Sequence, residues 1–180
     1  MAQLLVVRQL DTFMKTSRIP AIVFGLLLIG YIVFLVCTVS LLPQQMATHF
    51  DASGHPNGWM SRSSAVVFQG VIGLILPLII AVAFCALRFV PTRGINFPNR
   101  DFWFAAERRS DTCAYLSRHG LLLASLLVLL QGVVWYQLIE ANAKSIPQLS
   151  SSGFFVVLGI FAVAMIVWVM RLFSHFRKAA

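Results

Sequence analysis

The sequence has little charge for its length, because only 11% of its 180 residues are Asp, Glu, Lys or Arg. Soluble domains carry roughly a quarter charged residues, so this composition argues against a soluble protein. The uncharged residues cluster in four long windows, and about 20 apolar residues are enough for a helix to cross a ~30 Å hydrocarbon core. We therefore expect an all-α integral membrane four-helix bundle, formed by residues 1–180 as a single domain. Its spans are expected at about residues 19–42, 65–90, 120–140 and 153–173.

The centres of these windows lack Asp, Glu, Lys, Arg and His. Ion-coupled carriers usually need an ionisable group there, so a small permease is disfavoured. The three cysteines form no disulfide or zinc pattern, and no GxSxG nucleophile motif occurs. Near the end of the third window, Trp135 and Tyr136 are expected to anchor the helix at the membrane interface. These absences favour a protein that is not an enzyme and needs no cofactor.

The basic residues lie almost entirely on one side of the expected spans. The positive-inside rule then places both termini and the loop 91–113 in the cytoplasm, and loops 43–64 and 141–152 outside. Despite the net charge of +8, we interpret the basic residues as topology determinants and not as a nucleic-acid-binding surface. Only Arg62 and Lys144 lie on the outer side, and the other side carries Arg8, Lys15, Arg18, Arg88, Arg93, Arg100, Arg108, Arg109, Arg118, Arg171, Arg177 and Lys178.

The outer connection LPQQMATHFDASGHPNGWMSR is a polar stretch that concentrates two histidines, an aspartate and several turn-forming residues. Asp51 and Gly54 signal a turn, and Phe50 and Trp59 could fold back onto the bundle, so we expect a structured loop. Ser61 or Ser63 is expected to cap the second span.

His49, Asp51 and His55 are residue types that bind zinc, but their spacing matches no strong zinc signature. A histidine pair that senses acidic surroundings is an open alternative.

The loop between the second and third spans combines aromatic and basic residues. Asn99 is a plausible helix start, and Trp103 lies among arginines in the stretch NRDFWFAAERR. This pattern favours an interfacial helix with its rings in the headgroup layer, and a docking surface for a cytoplasmic protein is the alternative.

At these two segments, roughly over residues 19–115, the chain resembles the bacterial membrane domain of unknown function at the front of SdpI-type toxin-immunity proteins. The resemblance implies a bacterial inner-membrane protein. For the SdpI type, it also implies protection against a secreted membrane-active peptide and sequestration of a transcriptional repressor. Those proteins carry further C-terminal helices, whereas four spans are expected here. The matching positions are Pro43, His49, Phe50, Gly54, Pro56, Gly58, Trp59, Ser61, Asn99 and Trp103.

The leading hypothesis is a non-enzymatic inner-membrane protein in contact with the lipid bilayer. Its partner would be a membrane-active peptide or a cytoplasmic regulator, bound through loop 43–64, loop 91–113 or both. The alternative is a metalloprotein or enzyme with an outer site at His49, Asp51 and His55. The candidate binding residues are His49, Phe50, Asp51, Gly54, Trp59, Asn99 and Trp103.

Overall fold

The computed structural model describes the backbone of residues 2–177 and the side chains of residues 17–177. Arg8, Lys15 and Lys178, three of the expected topology determinants, lie outside the described side chains. The chain forms helix α1 (Ala2–Thr38), strands β1 (Gln45–Phe50) and β2 (Pro56–Ser61), then α2 (Arg62–Gly70), a π-helical segment (Val71–Ile75), α3 (Leu76–Ala86), the short α4 (Arg100–Trp103), α5 (Arg109–Asn142) and α6 (Ser151–Phe176).

Within the described residues, four helical stretches are long and apolar enough to cross a membrane. They are Ser17–Leu41, Arg62–Phe89, Arg109–Asn142 and Ser151–Phe176. The mostly helical fold and the four predicted apolar windows are therefore confirmed, as expected for a multi-pass membrane protein. α1 begins 17 residues before its window and α5 begins 11 residues before its window, each in a stretch that contains charged residues.

The expectation of an all-α fold is wrong for the connection between the first two spans, where β1 and β2 form an antiparallel hairpin. Ala47 lies opposite Trp59 and His49 opposite Gly58, with a β-bulge between the two pairs. Met46 is fully buried in the main core, so the hairpin is packed down onto the helices. This burial stabilises two strands that would be marginal alone in water.

The second span changes helical form in its middle, just before the fully buried Pro77. Pro77 cannot donate a backbone hydrogen bond, and a π turn is one way in which a helix absorbs such an interruption. Gly73, within the π turn, makes room for the ring of Tyr31, whose hydroxyl donates to the carbonyl of Gln69 (3.0 Å). The π turn thus serves close packing between α1 and the second span.

The core lies between α1, α5 and the second span, and α6 packs chiefly against α5. Every residue of α6 keeps some exposure. Trp135 was expected at the membrane interface, and this expectation is wrong. The ring is fully buried, and its Nε1–H donates to the Thr38 hydroxyl of α1 (2.8 Å), which satisfies its polar atom inside the bundle.

Successive spans run in opposite directions, so the connections between them gather at two ends. We call residues 42–61 and 143–150 the hairpin end, because the Leu149 amide donates to the Gly54 carbonyl (3.0 Å) there. We call residues 87–108 and 171–177 the arginine-rich end. Near that end, the Tyr115 hydroxyl of α5 donates to the carbonyl of Arg171 in α6 (3.0 Å).

Candidate functional site

A cavity of about 530 Å³ lies between the hairpin and the neighbouring ends of α2, α5 and α6. The hairpin forms its roof, and three candidate binding residues from the sequence, His49, Phe50 and Asp51, line it. Most of its wall is apolar, including Ala65 and Leu138. A largely apolar cavity with a few polar groups is the usual form of a small-ligand site.

Three polar side chains of the cavity wall hold buried atoms that have no hydrogen-bond partner. They are the Gln69 Nε2, the Gln137 Oε1 and the Ser151 Oγ. Gln69 is the most enclosed of them, with 4% of its surface exposed. Since an unpaired buried polar group costs roughly 1–3 kcal/mol, these atoms mark where a ligand would gain hydrogen bonds.

Asp51 organises the turn between the two strands. Its carboxylate accepts hydrogen bonds from the backbone amides of Ser53 (2.8 Å) and His55 (2.9 Å), and lies 3.7 Å from the His55 ring. The His55 backbone hydrogen bond is the largest of the effects that hold the pKa of the Asp51 carboxyl below its ordinary value, although the residue is exposed to solvent. The role that the geometry supports for Asp51 is therefore to close the turn.

His49 lies apart from this pair. Its Nδ1 is 3.2 Å from the Thr48 hydroxyl, and its side chain packs against Gly58 across the hairpin. Among residues 17–177, no three His, Cys, Asp or Glu side chains gather in a group that could hold a metal. The structure thus brings Asp51 and His55 together, and it does not bring His49 to them.

Gly54 connects the hairpin to the loop before α6. Its φ of +85° is a conformation that glycine adopts readily. A Cβ at this position would clash with the carbonyl oxygen of Leu149. Glycine is therefore required at this position by both the turn and the close approach of residues 143–150.

Asn142, at the end of α5, binds the edge of β1 that is not paired with β2. Its Oδ1 accepts from the Ala47 amide (2.8 Å), and its Nδ2 donates to the Ala47 carbonyl (2.9 Å). All these atoms belong to buried groups. The side chain pairs with the strand edge as a neighbouring strand would, which holds the roof of the cavity in place.

The two aromatic residues expected to fold back onto the bundle behave differently. Phe50 is half-buried and packs against the main core. Trp59 is 53% exposed, so the expectation is wrong for this residue. Side chains alternate between the two faces of β2, so Trp59 and its neighbour Met60 lie on opposite faces. Met60 packs against the core, and Trp59 points away from it.

The remaining candidates, Asn99 and Trp103, lie at the arginine-rich end, far from the cavity. Asn99 begins α4 as expected, with a positive φ of 48°. Trp103 packs against His175 and Phe176 of α6. The expected interfacial helix is reduced to the single turn α4, because Phe104 turns inward and is buried beside Ile95.

The sequence placed Gln69 within a span but gave no reason to single it out. Gln137, Ser151 and Asn142 were not identified at all, since each follows or precedes a loop as an ordinary polar residue. Their roles arise from contacts between elements distant in sequence. A search for amides within one turn of residue 140, the expected end of the third window, would have marked Gln137 and Asn142.

Residues 26–81 match the family described as Domain of unknown function (DUF1648). The match covers less than a third of the chain and runs from α1 through the hairpin to α3, so it includes His49, Phe50, Asp51 and Gln69 but not the arginine-rich end. No curated protein and no solved structure matches the chain. The resemblance to a membrane domain of unknown function is therefore confirmed for residues 26–81, which carry this domain.

Proposed function

We propose that the protein is a non-enzymatic multi-pass protein of the bacterial cytoplasmic membrane that binds a membrane-active peptide beneath the hairpin. The cavity between the hairpin and the helix ends is the observation that carries this proposal. The distribution of basic residues supports an orientation with the hairpin end outside and the arginine-rich end inside the cell.

The unpartnered atoms of the cavity favour a peptide over a purely apolar ligand. The Gln69 Nε2 is a donor and the Gln137 Oε1 is an acceptor, and both are buried without partners. A peptide backbone presents an N–H and a C=O at each residue, so it can pair with both groups. The apolar wall would take the hydrophobic side chains of the same peptide.

The position of the cavity favours a ligand that is already in the membrane. Phe68 and Phe155 line the cavity and are each more than half exposed on the apolar side of the helices. An amphipathic peptide lies at this depth, with its apolar face in the acyl region. Such a ligand can enter from the bilayer without crossing the hairpin.

The resemblance to SdpI-type proteins supports two partners, an outer peptide and a cytoplasmic regulator. For the regulator, loop 91–113 offers a basic and aromatic surface. There, the guanidinium of Arg108 lies 3.8 Å from the centre of the exposed Phe102 ring. α5 runs from the arginine-rich end to the hairpin end, so a peptide bound at the hairpin end would act on the regulator's surface through α5.

A photo-crosslinking experiment in living cells tests peptide binding. A benzophenone amino acid replaces Phe155, which lines the cavity, or Ile146, which is 78% exposed at the same end and does not line it. We expect a peptide-sized adduct from position 155 only, and its loss in the double variant Gln69→Leu with Gln137→Leu. Equal adducts at both positions, or an adduct that survives in the double variant, would contradict the proposal.

Metal analysis separates this proposal from the metalloprotein alternative. If the alternative holds, the purified protein carries metal in near-stoichiometric amount, and His49→Ala removes it. If peptide binding holds, a chelator leaves the crosslink from position 155 unchanged.

A further inference from the structure

A second large cavity, of about 950 Å³, opens between α1, α5 and α6 and reaches toward the arginine-rich end. We call it the lateral groove. It exists because α6 packs chiefly on α5 and leaves a gap beside α1. Its wall is apolar over most of its length, with contributions from Val23, Leu27, Leu122, Leu129, Ala164 and Val167.

Two arginines, Arg118 and Arg171, line the groove at its arginine-rich end. The guanidinium of Arg118 lies 5.6 Å from the centre of the Tyr115 ring, and the Tyr115 hydroxyl donates to the backbone carbonyl of Arg171. One tyrosine thus contacts the side chain of one arginine and the backbone of the other. Among residues 17–177, neither arginine forms an ion pair, and no described residue lining the groove is Asp or Glu. No carboxylate among these residues therefore neutralises the two positive charges.

The length of the groove matches one leaflet of a bilayer. Leu129 follows Arg118 by 11 residues in α5. At 1.5 Å per residue, this is about 17 Å, close to half of a ~30 Å hydrocarbon core. Arg118 and Arg171 also lie at the edges of the apolar windows 120–140 and 153–173, which is the level of the lipid headgroups.

We infer that the lateral groove binds an anionic phospholipid, with its phosphate between Arg118 and Arg171 and an acyl chain along the apolar wall. Guanidinium groups form paired, charge-assisted hydrogen bonds with phosphate oxygens, and basic sites between membrane helices bind anionic headgroups. A zwitterionic lipid is a poorer match, because its ammonium group would meet the two arginines. The inference rests on the groove alone and stands whether or not a peptide binds beneath the hairpin.

Native mass spectrometry of the purified protein tests the inference with two lipids of identical acyl chains, phosphatidylglycerol and phosphatidylcholine. We expect phosphatidylglycerol to bind at least about tenfold more tightly, because the choline ammonium of phosphatidylcholine is repelled by the two guanidinium groups and offsets the attraction of its phosphate. The double variant Arg118→Gln with Arg171→Gln should reduce its binding to that of phosphatidylcholine.

The matched control is Arg93→Gln with Arg177→Gln, which removes two exposed charges from the same end but outside the groove. This control should keep the preference for phosphatidylglycerol. The inference is overturned if wild type binds both lipids equally, if the groove variant keeps the preference, or if the control loses it.

Two further measurements test whether the groove holds an acyl chain and whether the bound phosphate belongs to a lipid or is a free anion. Ala164→Trp fills the groove and leaves both arginines in place, so it should weaken the binding of phosphatidylglycerol. Inorganic phosphate, at the same concentration as the lipid, should not displace it. Undiminished lipid binding by the Trp variant, or displacement by phosphate, would assign the arginines to a free anion and refute the lipid site.

Discussion

Replacing Asn142 with alanine should release the hairpin from the end of α5. The substitution removes both hydrogen bonds to Ala47 and leaves its amide and its carbonyl buried and unpaired. An unpaired buried polar group costs roughly 1–3 kcal/mol, so the two groups together cost about 2–6 kcal/mol. The lower value alone corresponds to an increase of about 30-fold in the opening equilibrium of the hairpin, at 1.4 kcal/mol per factor of ten.

Hydrogen–deuterium exchange measures this opening directly, because local opening exposes the amides of β1 to solvent. We expect exchange over residues 45–50 to accelerate by at least about 30-fold in Asn142→Ala, with little change in α3. Asn96→Ala, an exposed asparagine at the arginine-rich end, is the control and should leave the hairpin unchanged. Exchange in β1 that stays within about twofold of wild type would refute the assignment of Asn142 as the clamp.

Three further predictions follow from close contacts and from one carboxylate. Gly54→Ala should destabilise the turn by about 1–3 kcal/mol, because alanine adopts the positive φ of this position only with strain. Hydrogen–deuterium exchange should become faster in both the hairpin and loop 143–150. Unchanged exchange in that loop would argue against its contact with the hairpin. Gly73→Ala should lower the melting temperature, because the added Cβ would meet the Tyr31 ring at an overpacking cost of about 1–3 kcal/mol. Gly70→Ala is the control, since a Cβ at position 70 would have no neighbour within 4 Å. Equal effects of the two substitutions would contradict the packing of Tyr31 on Gly73. The lowered pKa of Asp51 means that its ionised form stabilises the turn above the ordinary carboxyl pKa, and that this stabilisation is lost as the pH falls through the lowered value. An NMR titration should find the Asp51 carboxyl ionised at a pH where exposed carboxyls are protonated, and an ordinary or raised value would remove the proposed role in the turn.

The sequence was sufficient to predict what depends on local composition. The four apolar windows predicted the helices. Ser61 or Ser63 was expected to cap α2, and the Ser61 hydroxyl accepts from the Ser64 amide (3.2 Å). The turn at Asp51 and Gly54 was also predicted. Each of these depends on residues that are close in the chain, where spacing carries the information.

What could not be predicted depends on contacts between distant elements. The strands of the hairpin are short and weakly patterned, and Asn142 stabilises them from 95 residues away. The position of Trp135 was predicted wrongly because tryptophan suits both a membrane interface and a contact between helices. The Thr38 hydroxyl, which accepts its hydrogen bond inside the bundle, lies on another helix. The polar groups of the cavity likewise come from Gln69, Gln137 and Ser151, which lie on three different helices.

The peptide site proposed beneath the hairpin has to face the outside of the cell, and thiol labelling measures this most directly. In a variant with Cys37, Cys85 and Cys113 replaced by alanine, single cysteines are introduced as Ser53→Cys, Ala143→Cys or Gly94→Cys and treated in intact cells with a thiol reagent that cannot cross the membrane. We predict that the cysteines at positions 53 and 143 are modified, and that the cysteine at position 94 reacts only after the cells are permeabilised. Modification at position 94 in intact cells, with positions 53 and 143 protected, would place the hairpin in the cytoplasm and contradict the proposed function.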